Sequence, residues 1–267
     1  MSNSGRREIP CEQITKAVQR LCIEAATILP PALGILLECA AESEPNAAAA
    51  AALEGIVENF KSAAAQGRPI CREMGMAVVF ADIGQDVHIT GGLFEDAVNE
   101  GVRCANMGKN TPCIVHVRLT EGDKISLHVM LKGLESENMS AMRIFSPDAN
   151  ASAIEDFITE TASKAGANDC LPVILGVGLG GTVEQCAIIA KRALLRPVDT
   201  RSADEYYAEM ECCTLEKINQ LGIGPQGLGG RFTAIAVNIE ASPVHKAVLP
   251  CVVNVSCHAA RNAYAKL

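Results

Sequence analysis

The sequence predicts an α+β fold in one domain, residues 1–267, with a helical N-terminal part over 10–67 packed on a mixed β-sheet formed within 68–267. Three observations carry this. Ile14, Val18, Leu21, Cys22 and Ala25 recur at helical spacing, so a single apolar face runs through the first segment. From Ile70 onward, short β-branched runs broken by Gly, Pro and Asn replace that period. No internal repeat and no low-complexity linker separates the two regimes.

The first helix begins near Pro10 and stops at Pro30-Pro31, because proline removes a helical donor and clashes with the preceding turn. A second spans about Leu33–Ala41. A third runs from Asn46 through an alanine-rich stretch, strong helix filler, to about Ala65. Ala77–Ile83, Asp86–Thr90, Pro112–Leu119 and Ile125–Leu131 read as strands, with a helix at Leu93–Cys104. Met139–Phe145 reads as a short linking helix, and Ser152–Lys164 as an amphipathic helix ended by Gly166. The apolar run Leu171–Leu179 reads as a buried strand, followed after Gly180-Gly181 by helices at Thr182–Leu195 and Asp204–Leu221. Strands at Phe232–Ile239 and Val248–Val255 and a closing turn at Cys257 complete the order.

Charge narrows the function. A formal net charge of -8 and a pI near 5.2 argue against nucleic acid or an anionic membrane as partner. Any anion site must then be local, built from a few Arg and Lys or from a metal. The longest apolar run, Ala47–Leu53, is far shorter than the roughly 20 residues a membrane span requires. The polar start, Met1–Pro10, lacks the apolar core of a signal peptide, so a cytoplasmic protein is expected. In that compartment the twelve cysteines are thiols rather than disulfides. They include no C-x2-C pair, and Cys212–Cys213 are adjacent, so no compact zinc template fits and most read as buried apolar filler.

Gly176-Val177-Gly178-Leu179-Gly180-Gly181 matches G-x-G-x-x-G between a strand and a helix. A dinucleotide fold also requires a second parallel strand ending in an acidic residue about 20 positions on. The corresponding stretch, Arg196–Ser202, has no strand in front of Asp199. That argues against a dinucleotide and leaves two readings: a tight turn with close backbone approach, or an anion held at the free N–H groups of the helix after Thr182.

Cys71, Cys170 and Cys257 stand apart from the other cysteines because turn chemistry at a strand edge adjoins each. Cys71 follows Arg68-Pro69-Ile70 and precedes Gly75, Cys170 lies between Asn168-Asp169 and Leu171, and Cys257 ends Val252–Ser256 and precedes His258. At these places the sequence resembles a family. Pro69-Ile70-Cys71-Arg72-Glu73-Met74-Gly75 is similar to the PICQDTG segment of the α region of iron–sulfur (class I) fumarate hydratases and L-tartrate dehydratases. Asn168-Asp169-Cys170-Leu171-Pro172 with Gly176–Thr182 resembles their CPP…GVGIGGT block. Gly224–Gly230, Pro243-Val244-His245 and Asn254–His258 resemble their GPxGLGG…THxAGLPVAVNxxCH stretch. Gly84–His88, Asn110-Thr111-Pro112 and Gly133–Ser140 are lesser blocks in the same order, and the likeness runs from about residue 10 to the end.

The resemblance implies a [4Fe–4S] cluster held by Cys71, Cys170 and Cys257, with one iron left open as a Lewis acid for dehydration of a small 2-hydroxy dicarboxylic acid such as malate or tartrate. It implies Glu73 and His245 as catalytic groups, Arg72 and Gly133 as substrate contacts, and His258 at most as a neighbour that tunes the cluster. It further implies a separate β subunit carrying the rest of the site, in an α2β2 assembly. His88, His116 and His128 read as structural or solvent-facing.

Two departures stand out. The family's Gln-Asp-Thr is here Arg72-Glu73-Met74, which lengthens the carboxylate arm by one methylene and introduces a guanidinium able to clamp a carboxylate. The segment from Arg103 to Asn110 is also shorter than the family's and lacks its LRKS-like arginine. An altered-specificity or non-catalytic iron–sulfur subunit is the alternative these changes raise.

Overall fold

The computed structural model describes residues 6–105, 112–166, 171–244 and 246–267. Strands and helices mix as α+β in two compact units. Unit 1 comprises Met1–Leu29, Ala63–Gly133 and Arg261–Leu267, and unit 2 comprises Pro30–Ser62 and Leu134–Ala260. The helical part expected over 10–67 is therefore shared between them.

In unit 1, β1 (Arg7–Pro10) leads into α1 (Cys11–Thr27). The sheet order is β10-β5-β2-β4, from β2 (Met76–Gly84), β4 (Ile114–Thr120), β5 (Ile125–Lys132) and β10 (Arg261–Lys266). β3 (Val87–Thr90) pairs in parallel with β1. Alternation along the strands turns Ala77, Val79 and Ala81, with Leu127 and Val129, onto a face covered by α1 and by α4 (Phe94–Cys104), where Ile14, Val18, Leu21 and Val98 are fully buried. Gly101 lets α4 close on α1, since a Cβ there would lie 2.7 Å from the Thr15 carbonyl oxygen. His116 stacks on Phe80 and His128 packs on Tyr264, at ring separations of 4.8 and 4.4 Å.

In unit 2, α2 (Pro31–Ser43) is followed by the first part of α3 (Ala47–Gln66). The sheet order is β6-β9-β7-β8, from β6 (Ala141–Phe145), β7 (Val173–Leu179), β8 (Ala234–Ala241) and β9 (Leu249–Ser256). α6 (Ala151–Ala165) and α8 (Glu205–Asn219) cover one face, where Ile154, Phe157, Ile158, Met210 and Ile218 share a core with the alternate β7 positions Val173, Leu175 and Val177. α7 (Val183–Ala193) covers the other face through Cys186 and Ala190. Asn150 and Asp204 cap α6 and α8 by accepting the N–H of Ala153 and Tyr206, each at 2.9 Å.

Three expectations change. Met139–Phe145 holds the strand β6, paired with β9, and the short helix lies earlier, at α5 (Leu134–Asn138). Met, Ala and Arg favour helix intrinsically, and antiparallel pairing overrides that preference. The chain does not close at Cys257: β10 follows, with Ala263 and Ala265 turned into the core of unit 1. A strand of small residues carries little β signal, and neither does the four-residue β1. Finally, the run Cys11–Ser43 is long and apolar enough by composition to cross a membrane. It is divided after Thr27 into α1 and α2, and α1 buries Ile14, Val18, Leu21 and Cys22 in a core.

Candidate functional site

The Cys71 loop enters unit 1 pinned at its start, where the Ile70 N–H donates to the Ala26 carbonyl at 2.9 Å. Cys71 is half-buried with a free thiol, and Arg72 is exposed. The Glu73 carboxylate turns back and accepts the Gly75 N–H at 2.9 Å, closing a tight local turn. Gly75 is obligatory here: φ is +67°, and a Cβ would lie 2.1 Å from the Lys132 carbonyl oxygen. That approach sets the loop beside Lys132 and Gly133 at the end of β5. From β10, the Arg261 guanidinium donates through Nη1 to the Glu73 carbonyl at 2.5 Å. The structure thus brings together Cys71, Arg72, Glu73 and Gly133, and adds Lys132 and Arg261, which are 3% and 2% exposed. The sequence reading missed both cations. The signal for Arg261 lies in Arg261-Asn262-Ala263-Tyr264-Ala265-Lys266, whose alternation puts an arginine on the alanine face.

In unit 2, Cys257 leaves the end of β9 as a half-buried thiol. Ser256 sits opposite Ile174, so Cys257 emerges at the start of β7, the strand that Cys170 precedes in sequence. Cys170 and His245 lie outside the described residues, as do Asn168-Asp169 and Asn110-Thr111. Among the described residues, no three His, Cys, Asp or Glu side chains gather at one point. Gln226, held at φ +53°, grips the Leu171 carbonyl with its side-chain amide at 3.0 Å, fixing the entry to β7. Beside it, Glu44 accepts the Arg231 N–H at 2.7 Å and so holds the Gly224–Gly230 loop down. At the C-terminal end of α5, Glu137 accepts from Asn254 at 3.1 Å and pairs with Lys191.

The opposite end of this sheet is different in kind. β8 runs parallel to β7 and β9 antiparallel, so Ala241 and Cys251 both lie at the Leu179 end, about 20 Å along the strands from Cys257. Pro243-Val244, just before His245, leave the sheet there and line a cavity of about 790 Å³ with Arg196, Arg201 and Tyr207. Arg196 pairs with the fully buried Glu211 and with Glu240 at 3.3 Å. Glu211 also accepts the N–H of Ser202 at 3.0 Å and of Ile239 at 2.8 Å, which ties the loop before α8 to β8.

The Gly-rich run is resolved as packing. A Cβ on Gly176 or Gly178 would lie 2.2 Å from the carbonyl oxygen of Ala190 or Cys186, so bare backbone lets α7 sit directly on β7. Gly180, at φ +81°, makes the same approach to the Ser242 carbonyl. The parallel neighbour of β7 is β8, which follows two helices, so this is not a dinucleotide βαβ unit.

The thiols divide by environment. Burial pushes Cys22 up to about 12 and Cys186 and Cys113 up to about 11, and raises Cys251 further still. A metal ligand must be a thiolate, so these four cysteines are poor donors; Cys71 and Cys257 are half-buried on loops, a placement from which a thiol can reach a metal.

Comparison with known proteins agrees over nearly the whole chain. Residues 15–106 and 103–266 match the family described as Fumarate hydratase (Fumerase). A Methanocaldococcus jannaschii protein provisionally named L(+)-tartrate dehydratase subunit alpha is 33% identical, over 96% of this chain and 98% of its own length. The L(+)-tartrate dehydratase subunit alpha of Escherichia coli K12 is 26% identical over 98% of this chain and 92% of its own, as is that of Shigella boydii. By these matches and by the three cysteine-bearing blocks, the chain belongs to the fumarate hydratase (fumerase) family.

Proposed function

We propose that this chain is the α subunit of a hydro-lyase that reversibly dehydrates a small 2-hydroxy dicarboxylic acid of the tartrate or malate kind. The observation that carries the reading is the half-buried Cys71 loop with its two buried cations, in a chain aligned end to end with proteins named as tartrate dehydratase α subunits. Cys71, Cys170 and Cys257 would hold a [4Fe–4S] cluster, which supplies a Lewis acid that makes hydroxide a tolerable leaving group. The protein's own residues do the rest. Arg72, exposed on the loop, clamps a substrate carboxylate. Gly133, set against Gly75, offers backbone without a side chain in the way. Glu73 and His245 exchange the proton, and a β subunit of an α2β2 assembly completes the carboxylate site.

A second reading, an altered-specificity or non-catalytic subunit, is favoured by one observation: a Glu73 carboxylate oxygen is engaged by the N–H of Gly75. The deciding experiment is anaerobic reconstitution of the native chain and of Cys71→Ser, Cys170→Ser and Cys257→Ser with the partner subunit present. Native protein should take up about four irons per chain and form an enoate from a hydroxy-dicarboxylate panel. Each Ser variant should lose the cluster, and Cys212→Ser should not. Full cluster occupancy in Cys170→Ser would overturn the ligand set, and a loaded complex that turns over no substrate favours the second reading.

A further inference from the structure

Among the described residues, Arg261 is a buried guanidinium that no carboxylate meets. It is 2% exposed, and among the described residues no carboxylate lies within ion-pair distance of it. Its Nη1 donates to the carbonyl of Glu73, and its Nε is buried with no partner among the described residues. The register sets the anomaly in context. Arg261 faces Leu131 and is followed on the same side by Ala263 and Ala265, all three on the apolar face that α1 covers. A cation on that face carries a large desolvation penalty unless an anion meets it.

Arg196 shows what this chain does with a guanidinium buried for structural reasons. That side chain, 15% exposed, is met by Glu211 and Glu240. Arg261 is more deeply buried and, among the described residues, is met by a neutral carbonyl, two residues beyond Cys71. An anion that met this guanidinium would adjoin the Cys71 loop.

We propose that Arg261 is the buried counter-charge of the iron–thiolate group held in part by Cys71, a positioning residue that clamps the loop backbone while offsetting the group's negative charge. This rests on the cluster reading above. Three thiolates on a four-iron core leave net negative charge, and charge beside such a cluster sets its reduction potential. Gly75 and the Glu73 turn hold the loop in one conformation, so the guanidinium meets a preformed partner rather than inducing it.

The test compares Arg261→Met and Arg261→Lys in the full chain with its partner subunit, anaerobically reconstituted with iron and sulfide. Methionine fills similar volume without charge, so the apo-protein's Tm should hold or rise. The cluster should nonetheless be lost faster, with iron affinity falling roughly 10- to 100-fold, and its midpoint potential should move negative. Lysine should restore the potential but only part of the affinity, because it keeps the charge and loses the planar fork. A merely structural arginine would instead lower the apo Tm in both variants and leave the potential of the cluster that forms unchanged, which overturns the proposal. An unchanged potential with a raised KM overturns it in favour of a clamp on substrate carboxylate. If native protein takes up no cluster, the functional reading itself fails, and if native protein is loaded while Arg261→Met is indistinguishable from it, only this inference fails.

Discussion

The Cys71–Gly75 loop of unit 1, which leads into β2, and the Gly176–Gly181 run of unit 2, which begins inside β7, are both glycine-dependent segments, and they use glycine for opposite purposes. In the loop, a single left-handed glycine presses against the Lys132 carbonyl and leaves Cys71 half-buried and Arg72 exposed. In the run, Gly176 and Gly178 lie under α7 and are consumed by packing, with carbonyl oxygens where side chains would be. The second segment looks more like a ligand site in sequence, and the first has more of the chemistry. Glycine marks close approach, and the group that approaches decides what the approach is for.

The largest effect should come from adding a methyl group to the packed run. Gly176→Ala or Gly178→Ala drives a Cβ against helix backbone that cannot swing aside, and stability should fall by at least about 3 kcal/mol in urea unfolding. A loss below about 1 kcal/mol would mean that α7 can lift off β7 freely, and the contrast would collapse. In the loop the effect should appear in catalysis instead. Arg72→Ala should reduce kcat/KM by about 30- to 1000-fold, or about 2–4 kcal/mol in transition-state terms. Because Arg72 is exposed, its Tm should stay near the native value. Equal losses of stability and activity would return Arg72 to the structural class.

Alkaline pH separates the thiols. Cys22 and Cys186 are raised to about 12 and about 11 by burial, while an unfolded thiol ionises near 8.5. The folded state then holds more protons than the unfolded one above about pH 8.5. The stability from these neutral thiols is complete below that pH and is lost as pH climbs through 11 to 12. Urea midpoints measured across this range should fall, and Cys22→Ala should flatten the decline. A profile as steep in that variant would place the titration elsewhere.

The smallest effect concerns Glu73→Gln, which keeps an acceptor for the Gly75 N–H while weakening a charge-assisted bond. Stability should change by about 0.5–1 kcal/mol, and kcat should fall far more if Glu73 carries a proton in the reaction. Calorimetry and turnover on one preparation would show whether the two readouts part.

The α+β class and the cores of most elements are legible in the sequence alone, because a 3.6-residue period, as in Cys11–Thr27, or an unbroken apolar run, as in Val173–Leu179, is visible without knowing what covers it. The sequence also set Cys71 and Cys257 apart from the buried thiols, since turn residues flank both and cannot pack as core. The strand within Met139–Phe145 and the continuation of the chain into β10 follow from long-range pairing, because β9 and β5 supply what the local pattern lacks. Tertiary structure also decided the fate of two features that sequence cannot rank. The Gly-rich run became a helix seat, and Arg261 became a buried cation beside the Cys71 loop. Both outcomes depend on groups distant in sequence, and desolvation and close contact exist only once the fold has brought those groups together.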